Sequence, residues 1–535
     1  STTSADQLTI TVGDTSATAA QLKTVGDATG LNVTATAVQG ISNSSVAQVI
    51  ALLTDEGSTG DKVNLDGDFT VAINDTGTVD SADLNTINTA TTGLVTATGV
   101  ATINGTASAI TTLIGNEGTS GDKVALDGDF AMTVSSGSAT VAEANTMHAF
   151  STTGAITATI TETDIATLDG LSTTSADQLT ITVATGAVNA SALNIVNGAT
   201  GLNVTATAVT GITGTAAQFE TLMDNEGSTG DKMNLDGDFT VTVSNGTTTA
   251  AQLAKIDAKT SKNVDASAVT AISGSASDFT TIAAAQGTND NQYQLKGDVA
   301  LTLTDTGTVD SGDLETIRGM STGFTDAATV ATINGTASEI TTLLGNEGTN
   351  GNTVGLDGNF TMTVSSGSAT VAQVNTMHAF STTGAITATI SETDIATLDG
   401  LSTTSADQLT ITVGDTSATA AQLKTVGDAT GLNVTATAVQ GISNSSVAQV
   451  IALLTDEGST GDKVNLDGDF TVAINDTGTV DSADLNTINT ATTGLVTATG
   501  VATINGTASA ITTLIGNEGT SGDKVALDGD FAMTV

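Results

Sequence analysis

The sequence contains no Cys, no Pro and no Trp among its 535 residues, and aromatic residues make up only 2%. The absence of Cys excludes disulfides, zinc–thiolate sites and thiol catalysis. The absence of Pro fits a chain in which most backbone N–H groups enter hydrogen-bonded ladders. With so few aromatic residues, any core must be built mainly from Val, Ile, Leu and Ala.

Positive charge is also scarce. Twelve Lys and Arg residues face 57 Asp and Glu residues, a formal net charge of -45. This charge repels phosphate backbones, which excludes a nucleic-acid partner, and it disfavours an anionic membrane surface. No run of 18 apolar residues occurs, so no membrane span is expected. Apolar residues nevertheless make up 39% of the chain, too many for a disordered acidic tail.

What the sequence does contain is repetition. Residues 402–535 repeat residues 1–134 without a change, a long period of 401 residues that predicts a segment of a longer tandem array. Within it, the stretch GDKVNLDGDF begins at Gly60 and recurs in variant form. The variants begin at Gly121, Gly230 and Gly351, with a degraded one at Asp290. Their spacing indicates a unit of about 60 residues, shortened in places.

Each unit holds two similar halves. Short segments with apolar residues at i and i+3, such as Leu22 with Val25, follow Ser, Thr or Asp and precede Gly. They predict two-turn helices with an N-cap and a Gly stop. Between them, residues 31–37, 69–73 and 156–160 alternate apolar and polar. This alternation predicts strands with one apolar face and one Thr-rich face.

A half-unit cannot bury its own apolar face, but stacked half-units can. The sequence therefore predicts a repeat solenoid: a parallel β-solenoid with a short helix closing each coil and a double-coil repeat of about 60 residues. We expect one continuous solenoid over residues 1–535. At roughly 4.8 Å between stacked strands, about fourteen coils per long period would extend on the order of 70 Å. The alternative is a string of separate α+β modules of about 60 residues.

The DGD stretches are the strongest candidates for chemistry. Asp oxygens two residues apart on a turn, beside a Gly, are the hard ligands that Ca²⁺ prefers. The candidate calcium ligands are Asp61, Asp66, Asp68, Asp122, Asp127, Asp129, Asp231, Asp236 and Asp238. Alternatively, Asp-Gly between two apolar alternating segments is typical of a hairpin turn. Two copies carry Asn352 and Asn359, or Lys296, in place of Asp, and a turn tolerates these changes better than a metal site.

Acidic residues also lie at the ends of the predicted helices, as Asp55 with Glu56, and as Glu117, Glu226 and Glu347. A carboxylate at a helix C-terminus opposes the helix dipole, so either a cation contact or a solvated turn is expected.

The outward Thr pairs are a further candidate surface. They are Thr34 with Thr36, Thr157 with Thr159, and Thr205 with Thr207. Stacked Thr residues could form an ice-binding array, but Thr is also an ordinary solvent-facing strand residue.

An enzyme site is not predicted. The only histidines, His148 and His378, lie in equivalent NTMHAF segments close to Ser151 and Ser381. A Ser-His-Asp arrangement is possible on paper, but a histidine on a repeated helix face is the preferred interpretation. No catalytic residue and no cofactor other than possible Ca²⁺ is expected.

The phrases VTAISGSASDFTTI, ATINGTASAITTLIG and DTGTVDSADLNTI resemble the repeats of giant Thr-rich, Cys-free surface proteins of marine bacteria, such as those used in swimming by marine Synechococcus. The resemblance covers the chain through repeat style. It implies an extracellular or cell-surface location, great length, and a role in surface layers, motility or adhesion. It carries over no catalytic residue.

The predicted function is therefore structural: a segment of a cell-surface layer or extracellular fibre that self-associates. The alternative is an adhesin stalk rigidified by Ca²⁺, or a repeat array that binds a glycan, an ice surface or another ligand.

Overall fold

The structure is a computed structural model that describes residues 2–535, in which short helices and short strands alternate. The helices are α1 Ala19–Gly26, α2 Val46–Thr54, α3 Ser81–Ala90, α4 Ala107–Gly115, α5 Val141–Phe150, α6 Ile165–Leu168, α7 Ala190–Gly198, α8 Ala216–Asp224, α9 Ala250–Asp257, α10 Ala276–Ala284, α11 Ser311–Gly319, α12 Ala337–Gly345, α13 Val371–Phe380, α14 Ile395–Leu398, α15 Ala420–Asp428, α16 Val447–Thr455, α17 Ser482–Ala491 and α18 Ala508–Gly516.

The strands up to α9 are β1 Ser16–Ala17, β2 Val33–Thr34, β3 Gly40–Ser44, β4 Val63–Asn64, β5 Thr70–Ile73, β6 Thr78–Asp80, β7 Val95–Thr96, β8 Thr102–Gly105, β9 Val124–Ala125, β10 Ala131–Val134, β11 Ile156–Thr159, β12 Gln178–Thr180, β13 Gly186–Asn189, β14 Val204–Thr205, β15 Val209–Gly214, β16 Met233–Asn234, β17 Thr240–Val243 and β18 Gly246–Thr249. Those after it are β19 Val264–Ala266, β20 Val269–Gly274, β21 Tyr293–Leu295, β22 Ala300–Leu303, β23 Thr308–Asp310, β24 Thr325–Asp326, β25 Thr332–Thr336, β26 Val354–Gly355, β27 Thr361–Ser366, β28 Ile386–Thr389, β29 Gln408–Thr410, β30 Ser417–Ala418, β31 Val434–Ala436, β32 Gly441–Ser445, β33 Val464–Leu466, β34 Thr471–Ile474, β35 Thr479–Asp481, β36 Val496–Ala498, β37 Thr503–Asn505, β38 Val525–Leu527 and β39 Ala532–Thr534.

Strands pair in parallel with strands about one coil away along the chain. Ile41 lies beside Val71, Val71 beside Val95, and Val95 beside Val124, so one apolar column runs through β3, β5, β7 and β9. Parallel strands alternating with helices confirm a repetitive, solenoid-like β/α arrangement. The hairpin interpretation of the DGD stretch is wrong, because the strands on its two sides, β4 and β5, pair with neighbouring coils and not with each other.

No sheet of the described residues takes in all the coils. The largest sheets of the described chain have five strands, such as β1-β3-β5-β7-β9 and β12-β11-β10-β8-β6. The reason is that a coil contributes two short strands separated by a turn. β7 continues the first of these sheets, whereas β8, seven residues later in the same coil, belongs to the second.

The core is a thin layer between helices and strands. Its members are almost all Val, Ile, Leu and Ala, with a few fully buried rings, as the composition predicts. The paired helix residues expected from the sequence, such as Ile110 with Leu113 and Phe219 with Leu222, are fully buried. Consecutive helices pack on each other, as α1 does on α2 and α2 on α3.

The predicted N-caps are present, and the predicted Gly stops are present in part. Thr140 caps α5 by accepting the N–H of Glu143, whose carboxylate accepts the N–H of Thr140 in return. At the other end, the C-cap residues of α2, α4 and α8 are Asp55, Asn116 and Asn225, with negative φ. Several helices, such as α4 and α12, end at a Gly, but no left-handed Gly follows the C-cap residues named above.

The described chain forms two compact units. One comprises residues 1–245, 255–266 and 287–294, and the other comprises residues 246–254, 267–286 and 295–535. The prediction of one continuous solenoid over the whole chain stays a prediction.

Candidate functional site

All nine candidate calcium ligands are exposed. The turn at 66–68 lies between β4 and β5, and its two flanking side chains, Leu65 and Phe69, point into the core. Each DGD stretch is therefore a turn that carries two carboxylates outward between two buried anchors. The turn interpretation of these stretches is confirmed.

The next coil holds each of these turns through hydrogen bonds. Thr91 Oγ1 donates to the carbonyl of Phe69 at 2.5 Å, and Thr92 N donates to the carbonyl of Gly67 at 2.8 Å. Gly93 then passes so close that a Cβ there would collide with the carbonyl oxygen of Phe69. We call the residues 91–93 and their equivalents the TTG latch. The first hydroxyl of the latch makes the same hydrogen bond in other coils. It donates to a backbone carbonyl in the pairs Ser151 to Phe130, Thr260 to Phe239, Ser321 to Val299, Ser381 to Phe360 and Thr492 to Phe470.

The outer carboxylate takes part in the same contact. Thr153 Oγ1 donates to Asp129 Oδ1 at 2.6 Å. In the copy where Asn359 replaces this Asp, Thr383 Oγ1 donates to Asn359 Oδ1 at 2.5 Å. The amide thus preserves the hydrogen bond while losing the charge. In both copies, this position supplies a hydrogen-bond acceptor for the Thr hydroxyl of the latch.

The Lys of the GDK segment contacts the helix end that precedes it. Lys62 Nζ donates to the carbonyl of Thr54 at 2.7 Å, and Lys232 Nζ donates to that of Asp224 at 2.9 Å. Lys123, Lys463 and Lys524 make the same contact with Gly115, Thr455 and Gly516. A cation at a helix C-terminus is favoured by the helix dipole. The cation contact considered for the acidic helix ends is made by other lysines: Lys23 pairs with Asp55 and Lys259 with Glu226.

The remaining cations are also engaged within the chain. Lys23 bridges Asp27 and Asp55, both at 2.5 Å, and these hydrogen bonds raise the pKa of Lys23 above its ordinary value. Lys424 repeats this arrangement. The others pair as Lys255 with Asp224, Lys259 with Glu226, Lys262 with Asp238 and Asp290, Lys296 with Asp298, and Arg318 with Glu315. Each of the twelve Lys and Arg side chains therefore has a partner inside the chain, and the excess carboxylates remain at the surface.

Carboxylates do not gather in larger groups. Within residues 2–535, no three His, Asp or Glu side chains lie together in a way that could hold a metal ion. A Ca²⁺ ion at a DGD turn would therefore need backbone and water oxygens besides one or two side chains. At one turn the carboxylate already has a cation: Lys262 lies 2.9 Å from Asp238 and, with Ser261, lowers the pKa of that carboxyl. The calcium assignment stays a prediction.

The histidines have a specific partner that the sequence did not suggest. His148 Nδ1 lies 3.0 Å from Asp177 Oδ2, and His378 Nδ1 lies 3.1 Å from Asp407 Oδ2. Asp177 is almost fully buried and accepts the N–H groups of Ile156 and Thr174. The nearby Ser151 is buried and is the latch hydroxyl of its coil, a structural role.

The predicted Thr pairs are exposed, as expected for an outward strand face. Their columns are mixed, however. Thr159 lies beside Thr180, but Thr157 lies beside Gln178 and Thr34 beside Asn64. Asn and Gln thus interrupt the Thr columns. An ice-binding array remains an untested alternative.

A cleft of about 620 Å³ lies beside α1 and β1, lined by Val12, Ala17 and Val25 among others. The identical residues of the second copy, Val413, Ala418 and Val426, are buried to 3% exposure or less. There the preceding coil covers them, since the N–H of Ile395 donates to Asp415. The cleft is thus lined by the same apolar residues that are buried between stacked coils in the second copy.

No helix among residues 2–535 combines the length and the apolarity needed to cross a bilayer. In comparisons with known proteins, no family model, curated protein or solved structure matches the chain. The resemblance to giant surface proteins of marine bacteria therefore stays a prediction.

Proposed function

We propose that this chain is a structural segment of an extracellular fibre or cell-surface layer, built by stacking near-identical coils. The observation that carries the proposal is the use of its polar groups. The latch hydroxyls, the helix-capping lysines and the buried Asp–His pairs bind the next coil or the adjoining loop. The most distinctive side chains thus serve the stacking of coils.

The surface charge supports the same proposal. Twelve cations are engaged within the chain, so the excess of 45 negative charges is spread over exposed turns and loops. Such a surface keeps long chains apart at low salt and is screened within about 3 Å at 1 M salt. Assembly controlled by salt or by divalent cations suits a protein outside the cell. In this proposal the double coil of about 60 residues is the building unit, and a short helix closes each coil.

The proposal is tested by assembly and by location. Purified protein is examined by light scattering and electron microscopy as salt is raised, in parallel with an acidic globular protein of similar charge. We expect ordered filaments or layers from this chain alone. Antibodies against the chain should label intact source cells before permeabilisation. Labelling only after lysis, or a monomer at every salt concentration, would contradict the structural extracellular role.

The alternative is an adhesin stalk rigidified by Ca²⁺, and the specific observation behind it is the set of exposed carboxylate pairs at the DGD turns. This function requires Ca²⁺ to stiffen the coils beyond what screening by salt achieves. The matched-salt titration described in the Discussion separates the two.

A further inference from the structure

One helix position varies from coil to coil more than the residues around it. It lies in the last turn of every second helix, directly after an apolar residue, as Asn88 follows Ile87 and Asp257 follows Ile256. We call it the junction position. Its occupants along the chain are Gly26, Asn88, His148, Asn197, Asp257, Arg318, His378, Gly427 and Asn489.

The junction position faces the neighbouring coil. A Cβ on Gly26 would lie 2.8 Å from Val63 Cγ2, and one on Gly427 would lie 2.9 Å from Val464 Cγ2. Glycine fits closely at these two junctions, whereas the GDKV-type segments that follow Asn88, Arg318 and Asn489 carry the same Val, so Val by itself does not specify the junction residue. At this junction the contact is apolar and close.

Where the neighbour differs, the junction residue differs with it. The degraded repeat carries Tyr293 in place of this Val, and there the junction residue is Asp257, which hydrogen-bonds the Tyr293 hydroxyl. Tyr293 is 2% exposed, so its hydroxyl requires a partner inside the protein. The two substitutions form one compatible pair.

Three further combinations occur at the remaining junctions. Arg318 Nη1 donates to Asn352 Oδ1 at 3.0 Å, where most copies have Asp. Asn489 Nδ2 donates to Asp523 Oδ1 at 3.3 Å. His148 and His378 meet the buried Asp177 and Asp407 of the shortened coil. Each polar occupant named here has a partner that suits its own chemistry.

Specific pairs matter because the apolar columns are nearly alike in every coil. A stack that slipped by one double coil would still bury Val, Ile and Leu against Val, Ile and Leu. It would, however, place Asp257 against Val and separate its carboxylate from the Tyr293 hydroxyl, whereas every equivalent loop offers Arg318 an Asp or Asn oxygen. A buried polar group without a partner disfavours that arrangement strongly.

We infer that Asp257 and Tyr293 act as a pairing code, in which the match between the two side chains fixes which coils stack at this junction. A single polar residue that fixes the register of otherwise uniform apolar helices is the closest physical analogue. In a repetitive chain, the code opposes slipped stacks within one molecule and exchange of coils between molecules.

The first test is a double-mutant cycle on the full chain. Asp257→Gly, Tyr293→Val and the double variant are compared with the natural chain in urea, by circular dichroism. The double variant recreates the Gly–Val junction of residues 26 and 63. If the two side chains are coupled, the double variant will be less destabilised than the sum of the two single effects predicts. We expect its equilibrium constant of unfolding to lie about tenfold closer to that of the natural chain than this sum. Additive single effects would overturn the code at this junction.

A matched control uses Ala258, the exposed neighbour of Asp257. The cycle of Ala258→Gly with Tyr293→Val should be additive within about twofold. Coupling as large as that of Asp257 would mean that any change in this turn perturbs Tyr293, and it would also overturn the code.

The second test leaves the composition unchanged. Asp257→Arg combined with Arg318→Asp mismatches two junctions, whereas Lys296→Asp combined with Asp298→Lys reverses an exposed ion pair. Tyr293 is the only Tyr and Trp is absent, so tyrosine fluorescence reports the Asp257 junction. The junction exchange should lower or abolish the cooperative transition, and the exposed exchange should leave its midpoint unchanged. Equal midpoints for both exchanges would refute the code.

Discussion

Many polar side chains in this protein contact the adjacent coil or loop. Lys62 contacts the end of the preceding helix, Thr91 contacts the turn of the coil before it, and Asp177 holds a histidine and two backbone amides. Residues that would suggest chemistry in a globular enzyme are therefore occupied structurally. The Asp257–Tyr293 pair is the clearest case in which burial changes an ionisation equilibrium.

Burial raises the pKa of Asp257, and the hydrogen bond from Tyr293 offsets only part of this rise. Because the pKa of Asp257 is higher in the folded state than in the unfolded state, its contribution to stability is fully present below the ordinary Asp pKa. This contribution is lost as pH rises through the folded-state pKa. We expect Asp257→Asn, which stays neutral, to be more stable than the natural chain at pH 7, with the difference vanishing in acid.

The measurement is urea unfolding between pH 3 and pH 7, followed by the fluorescence of Tyr293. The control is Asp14→Asn, which changes an exposed carboxylate in the same compact unit. A destabilised Asp257→Asn protein at pH 7, or the same pH profile for both variants, would show that burial of this carboxylate does not control the local stability.

At the scale of elements, each turn is shaped by the coil that follows it. The Gly of the TTG latch recurs as Gly93, Gly154, Gly323, Gly384 and Gly494, and in each case a Cβ would collide with a carbonyl oxygen of the preceding coil. The colliding atoms belong to the backbone, which cannot move aside as a flexible side chain can. This close approach keeps the latch hydroxyl within reach of its acceptor.

Gly93→Ala should destabilise the protein by about 2 kcal/mol, because the methyl group must displace backbone from an already packed contact. Gly77→Ala is the matched control, since a Cβ there meets nothing within 4 Å, and its effect should stay within about 0.5 kcal/mol. Thermal and urea unfolding of both variants measures the difference. Equal destabilisation would mean that loss of glycine flexibility, rather than the close approach, is responsible.

At the scale of the whole molecule, the main electrostatic feature is the excess of carboxylates. With a net charge of -45, folding is opposed by like charges that salt screens. We expect the melting midpoint to rise with NaCl and to level off as the screening length approaches about 3 Å near 1 M. A midpoint independent of salt would indicate that the surface charges lie too far apart to interact.

Calcium is tested against this background. Melting is followed in CaCl₂ and in MgCl₂ at equal ionic strength, with chelator as the reference. A midpoint that rises alike in both salts indicates screening, whereas an additional, steep rise with Ca²⁺ indicates a folded-state site. In that case, Asp127→Asn with Asp129→Asn should reduce the additional rise, and Asp14→Asn should not. Identical curves for both salts would leave the DGD stretches as turns that serve the latch.

The sequence by itself determined the repeat, the helices and the class of fold. Exact duplication marks the period, and apolar residues at i and i+3 after Thr or Ser mark helices, because spacing and caps are local properties. The buried column of Ile41, Val71, Val95 and Val124 follows from the same alternation. The acidic composition likewise predicts that nucleic acids are not among its partners.

Only the tertiary structure decided what the polar residues contact. The partners of Asp257, His148 and Lys262 lie in other coils, 24 to 36 residues away in the chain, and no local pattern specifies them. Parallel stacking, rather than a hairpin, gives the DGD turn its role, because it brings the next coil's Thr and Gly onto the turn. Local spacing encodes elements, whereas contacts between coils depend on a register that exists only once the coils are stacked.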